Sequence, residues 1–159
     1  APTLSQLGLM PLLCGSAADP HYANQVKMAL RAIEPKAIII DSFLPPSGLA
    51  AVLSHTCLNV HPCSYDAYGM TVIEAAAFGA PSLLQSGDAV GAAELLQPDG
   101  SFQLPLHQTE MIRLAHDVSA ILRDQEALGK VAVIAKERAL SWSEEAYGQQ
   151  LHCHLKAWE

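Results

Sequence analysis

Positive charge is missing from the middle of this 159-residue chain, where no Lys or Arg occurs from Ala37 to Ile112. With 9 basic against 16 acidic residues, the formal net charge is −7. A nucleic-acid-binding module carries a basic patch or stripe, and an anionic membrane surface calls for a polybasic run; the chain has neither. No apolar run is long enough to span a bilayer, and no amino-terminal signal pattern precedes the first apolar segment. The four cysteines, Cys14, Cys57, Cys63 and Cys153, form no CxxC pair and no zinc-ligand spacing. Three of them sit in apolar surroundings and read as buried thiols, which points to a reducing, cytoplasmic setting. Walker loops, G-x-G-x-x-G and a Ser-His-Asp pattern are also absent, and nothing calls for a metal or other cofactor.

Half of the residues are apolar and 16% are charged, a globular composition. The length suits one domain, residues 1–159, with a helical carboxyl-terminal segment over 108–159. Short apolar runs alternate with helical patterns. Leu9 to Cys14 reads as a strand, with Pro11 suited to its start or to an edge. Asp19-Pro20 opens a helix, Asp as N-cap and Pro at the first helical position, with an apolar stripe at Tyr22, Val26, Ala29, Leu30 and Ile33. Ala37 to Ile40 reads as a buried parallel strand, Leu49 to Leu53 as a short helix and Cys57 to Val60 as a third strand stopped by Pro62. Thr71 to Phe78 is an Ala-rich helix closed by Gly79.

Ser82 to Leu84 reads as a fourth strand, Ala92 to Leu96 as a helical turn, and Pro98-Asp99-Gly100 as a turn before a last strand at Phe102–Leu104. Met111, Leu114, Ala115, Val118, Ile121 and Leu122 mark one carboxyl-terminal helix and Val131 to Leu140 a second. Ser143 caps a third, which carries Tyr147, Leu151, Leu155 and Trp158. Strands alternating with helices predict an α/β domain with a parallel sheet flanked by helices, Rossmann-like, whose ligand site lies beyond the carboxyl ends of the strands.

The stretch from His61 to Pro81, HPCSYDAYGMTVIEAAAFGAP, resembles the signature of family 4 (group 1) glycosyltransferases of GT-B architecture. That pattern runs His/Leu-Pro-Ser, Glu-Gly-Phe-Gly, then Glu-Ala-Met-Ala-x-Gly-x-Pro. Its two acidic positions fall here on Asp66 and Glu74. Gln85-Ser86-Gly87 followed by Val90-Gly91-Ala92-Ala93-Glu94 is similar to the family's Gly-Gly-x-x-Glu loop. Leu12 to Gly15 is similar to an earlier strand with its glycine turn, and Leu140 to Glu144 to a Ser-Trp helix start.

The resemblance implies the nucleotide-sugar donor domain, one half of a GT-B fold, of a retaining transferase that moves a sugar from a nucleoside-diphosphate sugar such as a UDP-sugar to an acceptor hydroxyl. It also implies that an N-terminal acceptor domain, and an Arg/Lys pair that neutralises the diphosphate, are missing from this chain, so that the isolated domain is inactive. Glu74 would accept hydrogen bonds from the ribose hydroxyls and Asp66 would meet the donor sugar at the catalytic position. Phe43 and the Gly15-Ser16 turn would lie near the nucleotide, and Glu94 at a helix start would be a further donor contact. An exposed helix start at Gly69, Met70 and Thr71 is suited by its N–H groups and dipole to cradle a diphosphate.

Plainer readings stand beside these. Thr71-Val72-Ile73-Glu74 is also a capping box. Asp66, shorter than the family's Glu, could stabilise a turn. Phe43 could be a core residue, His61 a packed histidine, and Glu94 a surface charge favoured by the helix dipole. His152 and His154, two apart on a helix, do not converge on a metal. A second functional reading is a non-catalytic nucleotide-sugar-binding or scaffold domain derived from the same fold. A sugar-nucleotide epimerase of the same architecture fits the Asp66–Glu74 block less well, and the acidic cluster or flavin loop of a receiver or flavodoxin-like domain is not there.

Overall fold

The computed structural model describes residues 4–87 and 90–156, the side chains of Ala146, Gln150 and His154 excepted. The chain divides into two compact units, Ala1–Ala51 and Val52–Glu159.

The first unit is a β–α–β crossover. Strand β1 (Leu12–Cys14), helix α1 (Pro20–Ile33) and strand β2 (Ile38–Ile40) follow in order, with Leu12 facing Ile38 and Cys14 facing Ile40 in parallel register. The start of α1 is as expected. The Asp19 carboxylate accepts from the N–H groups of His21 and Tyr22, and Pro20 occupies the first helical position. Its other end is held by Glu34, buried, which accepts from the Leu4 N–H at 3.0 Å and the Ser5 hydroxyl at 2.8 Å. Those partners belong to a 3-10 turn at Leu4–Leu7.

Burial in this unit departs from the expectation. No residue of α1 is buried, its stripe residues Tyr22, Val26 and Ile33 are exposed, and the strand residues Leu12, Leu13 and Ile38 are exposed as well. A two-stranded sheet with one helix has too little structure to cover both faces, so apolar patterning identifies the elements here without burying them. Helix α2 (Pro46–Leu53) starts earlier than Leu49, at the second proline of Pro45-Pro46, and runs across the boundary between the units.

The second unit carries strands β3 (Asn59–His61), β4 (Ser82–Gln85) and β5 (Phe102–Leu104), in spatial order β3-β4-β5 and all parallel. The parallel strands therefore form two sheets. Helix α3 (Met70–Ala77) joins β3 to β4, and the short α4 (Gly91–Leu95) lies between β4 and β5. Helices α5 (Met111–Arg123), α6 (Gln125–Ser141) and α7 (Glu144–Lys156) complete it.

Every residue of the central strand β4 is buried, as a strand covered on both faces must be. Val72 and Ala76 of α3, Leu84 of β4, Val90, Ala92, Ala93 and Leu96 around α4, and Ala135 and Ala139 of α6 form one core. Alanine at these places lets α3 and α6 approach closely. Gly79 closes α3 with a left-handed φ of 79°. Helix α5 buries Leu122 but leaves Met111 exposed, and the expected stripe residues Tyr147, Leu151 and Leu155 of α7 are exposed too; Trp158 lies outside the described residues. The four cysteines are free and exposed, Cys57 and Cys63 in loops and Cys14 and Cys153 at the surface of their elements, so the expectation of three buried thiols does not hold.

Candidate functional site

In the second unit the segment from His61 to Thr71 links the carboxyl end of β3 to the start of α3. Asp66 organises it. Its Oδ1 accepts from the Gly69 N–H at 2.7 Å and the Tyr68 N–H at 3.1 Å, closing a tight turn. These N–H groups, Gly69 first, hold the carboxyl below the usual carboxylate range. The Asp66 carbonyl accepts from the Gly91 N–H at 3.1 Å, and Asp66 bridges Val90 in parallel fashion. The turn before α3 is thereby stitched to the turn before α4.

Gly69 is the N-cap of α3, with φ 79° and ψ 50°. A Cβ there would lie 2.9 Å from the Ala92 Cβ, so both the conformation and the close approach require glycine. With Gly69 at the N-cap, Thr71 is the second residue of the helix and the expected capping box does not form. The Thr71 hydroxyl instead lies 3.3 Å from His61 Nδ1. The Gly69 N–H is consumed by Asp66, which corrects the expectation that it stands free for an anion. Met70 and Thr71, the first two residues of α3, have N–H groups with no backbone acceptor among the described residues. Glu74 lies four and three residues beyond them, on the same helix face. Its half-buried carboxylate has no partner among the described residues.

His61 is buried at the end of β3. Its Nε2 lies 3.2 Å from Asp66 Oδ2, out of hydrogen-bond alignment, and is the polar atom of this ring left without a hydrogen bond. Cys63, exposed, brings its Sγ to the same place: the ligand atoms of His61, Cys63 and Asp66 lie within 4.8 Å of one another. His107 also serves this segment. Its Nε2 lies 2.7 Å from the Pro62 carbonyl and its backbone N–H donates to Gln85 Oε1 at 3.3 Å, pinning the loop from the far side of β4. Neither arrangement is visible in local spacing alone. For the first, His-x-Cys-x-x-Asp directly after a strand was the available signal; for His107 there was none.

Glu94 is exposed in the first turn of α4 and lines an open hollow of about 360 Å3 with Gly87, Val90, Gly91, Ala93 and Gln97. A second hollow, of about 460 Å3 beside Leu104, Glu110 and Arg113, contains none of the expected site residues.

Gly15, Ser16 and Phe43 belong to the first unit. Cys14 and Ile40 are partners in register, so the Gly15-Ser16 turn and the Asp41–Phe43 loop leave the same edge of that sheet. The Gly15 N–H donates to the Ile40 carbonyl, the Cys14 thiol to the Ser42 carbonyl, and Lys27 pairs with Asp41. Phe43 is 79% exposed, which removes its reading as a core residue.

No protein-family model matches the chain, nor does any curated protein sequence. Solved structures do. Sucrose-phosphate synthase from Thermosynechococcus elongatus aligns over 93% of this chain and 39% of its own, with 22% identity and a TM-score of 0.70. HepE from Anabaena, in complex with UDP-glucose, aligns over 94% of this chain and 41% of its own, with 18% identity and a TM-score of 0.74. The N-terminal domain of trehalose-6-phosphate phosphatase from Candida albicans aligns over 94% of this chain and 34% of its own, with 13% identity and a TM-score of 0.74. The chain thus spans well under half the length of the structures it resembles. What it shares with them is the fold, an α/β arrangement of parallel sheets flanked by helices found in GT-B glycosyltransferases.

Proposed function

We propose that this chain is the donor-binding, carboxyl-terminal half of a retaining glycosyltransferase related to family 4, and that it binds a nucleoside-diphosphate sugar, a UDP-sugar in the first instance. The observation that carries the reading is the start of α3. Two unclaimed N–H groups, Met70 and Thr71, and the unpartnered Glu74 carboxylate share one helix face. Helix N–H groups and the dipole favour a diphosphate, and a carboxylate one turn on is a bidentate acceptor for vicinal ribose hydroxyls. Gly69 contributes its left-handed conformation, which aims the helix start. Asp66 keeps Oδ1 on the turn and offers Oδ2 to the donor sugar at the catalytic position. Glu94 borders the neighbouring hollow.

Charge developing on the leaving diphosphate in the complete enzyme would be stabilised by the helix start together with cations from the remainder of the enzyme, since Ala37 to Ile112 supplies none. An acceptor-binding domain would close over the donor. Alone, the chain would bind donor without transferring it. The free thiols fit a cytoplasmic protein. The absence of Lys and Arg from Ala37 to Ile112 and the internally consumed Gly69 N–H favour a second reading, a non-catalytic nucleotide-sugar-binding or scaffold domain of the same fold.

Calorimetric titration with UDP, GDP, ADP and their common sugar conjugates tests the proposal. Binding of one nucleotide family, lost in Glu74→Ala, is expected. Binding that survives Glu74→Ala would overturn the ribose assignment. Absence of binding by every member, persisting when the complete enzyme is titrated, would overturn the donor reading. Binding by the complete enzyme without sugar transfer would establish the scaffold reading.

A further inference from the structure

We propose that His61, Cys63 and Asp66 form a binding site for a borderline-soft divalent ion, Zn2+ above all. It shares Asp66 with the donor reading, since the Oδ2 assigned there to the donor sugar is the oxygen that would meet the ion. Three donor types, imidazole nitrogen, thiolate sulfur and carboxylate oxygen, converge within 4.8 Å at the end of β3. Structural and catalytic zinc sites are built from these groups, whereas Ca2+ and Mg2+ select all-oxygen sets.

His61 is the second, independent observation. It is 8% exposed, and its Nε2 is buried with no hydrogen-bond partner, although Asp66 Oδ2 lies 3.2 Å away. The other ring nitrogen, Nδ1, lies 3.3 Å from the Thr71 hydroxyl. In the tautomer with Nδ1–H donating to Thr71, the Nε2 lone pair faces a carboxylate lone pair, an arrangement that a cation between the two would satisfy. Metal-ligating histidines show this division: one nitrogen on the ion, the other held by an outer partner that fixes the tautomer.

The distance fits as well. Zn–N and Zn–O bonds of about 2.0–2.1 Å in a tetrahedron separate the two ligand atoms by about 3.3 Å. The separation present between Nε2 and Oδ2, 3.2 Å, is that edge before any ion arrives. Cys63, exposed and on the loop, closes the remaining distance by side-chain rotation. Three protein ligands leave a fourth position open, for water or for an oxygen of a bound molecule. Asp66 keeps its Oδ1 on Gly69 and Tyr68, so metal binding through Oδ2 leaves the turn intact.

The test uses the metal alone, with no nucleotide present, so its outcome does not depend on the donor assignment. Zn2+ is titrated into the full chain against a chromogenic chelator, and Co2+ is added in parallel as a spectroscopic reporter. One equivalent of Zn2+ and a thiolate-to-cobalt charge-transfer band in the near ultraviolet are expected. Cys63→Ser should abolish the band and weaken Zn2+ at least about tenfold, while Cys153→Ser should change neither. Thr71→Val, which removes only the outer partner, should weaken Zn2+ by about 10- to 100-fold with the band retained. Circular dichroism of each variant confirms that it is folded; His61→Ala, buried, is not relied upon. The absence of stoichiometric binding, or binding indifferent to Cys63→Ser, would overturn the proposal and leave His61–Asp66 as a proton-bridged pair.

Discussion

Replacing Gly69 with alanine tests the reasoning that connects one backbone angle to the whole candidate site. Two separate penalties act there. The residue adopts φ 79°, where an L side chain is strained by about 1–2 kcal/mol. The new methyl would also sit 2.9 Å from the Ala92 Cβ, and Ala92 is itself buried in the core and cannot withdraw. Overpacking of that kind costs about 1–3 kcal/mol, so the total is about 2–5 kcal/mol. Gly79 provides the control. It has the same φ of 79°, but its added methyl would meet nothing closer than Lys136 Cδ at 3.8 Å. Gly79→Ala should therefore cost only the conformational part, about 1–2 kcal/mol.

Urea unfolding followed by far-ultraviolet circular dichroism measures both variants, and the difference between them isolates the packing contribution. With a denaturant slope of about 1–3 kcal/mol/M and a packing difference of about 1–3 kcal/mol, the Gly69→Ala midpoint should fall about 0.3–3 M below that of Gly79→Ala. Equal midpoints would refute the argument, because they would mean that the turn before α3 moves freely away from α4.

Two further outcomes follow from side-chain geometry. Asp66 is held below its ordinary pKa by the Gly69 and Tyr68 N–H groups, so its ionised form stabilises the fold above the unfolded-state pKa of about 3.9, and this contribution is lost as the pH falls through the lower folded value. Asp66→Asn should accordingly be less stable than the parent near neutrality, with the gap in urea midpoint narrowing toward pH 3; a gap that widens on acidification would contradict the assignment. Asp19→Ala removes the acceptor for the His21 and Tyr22 N–H groups and should cost about 1 kcal/mol, seen as faster amide exchange confined to the first turn of α1.

Much of the element order was legible because its signals are local. Asp19-Pro20 announces a helix start, Gly79 a helix end, and Ile38–Ile40 a strand, without reference to anything distant. Periodicity identifies which residues share a face, but whether another element covers that face is a tertiary fact. Ile38 and Tyr22 were accordingly placed on the right elements and given too much burial. The site divides in the same way. The family resemblance singled out Glu74, and the helix start within two turns of it could be read from local spacing. The path of the chain from His61 to Gly69 could not. The Asp66–Val90 bridge and the left-handed Gly69 decide that path. They displace Thr71 from the cap, spend the Gly69 N–H on Asp66, and fold Cys63 back toward His61.

The stitch between Asp66 and the Val90–Gly91 segment has a mechanical meaning. A methyl added to Gly91 would lie 2.3 Å from the Ala67 carbonyl oxygen, so the two segments touch backbone to backbone with no side chain to act as a cushion. Such a close joint couples the two segments, leaving little room for one to shift toward the other alone. If a molecule lifts the rim of α3, the rim of α4 must follow, and the two helix starts behave as one jaw rather than two fingers. Selectivity among bound molecules in this unit would then evolve through the side chains that the jaw carries, such as Met70 and Glu94, and not through independent opening of either loop.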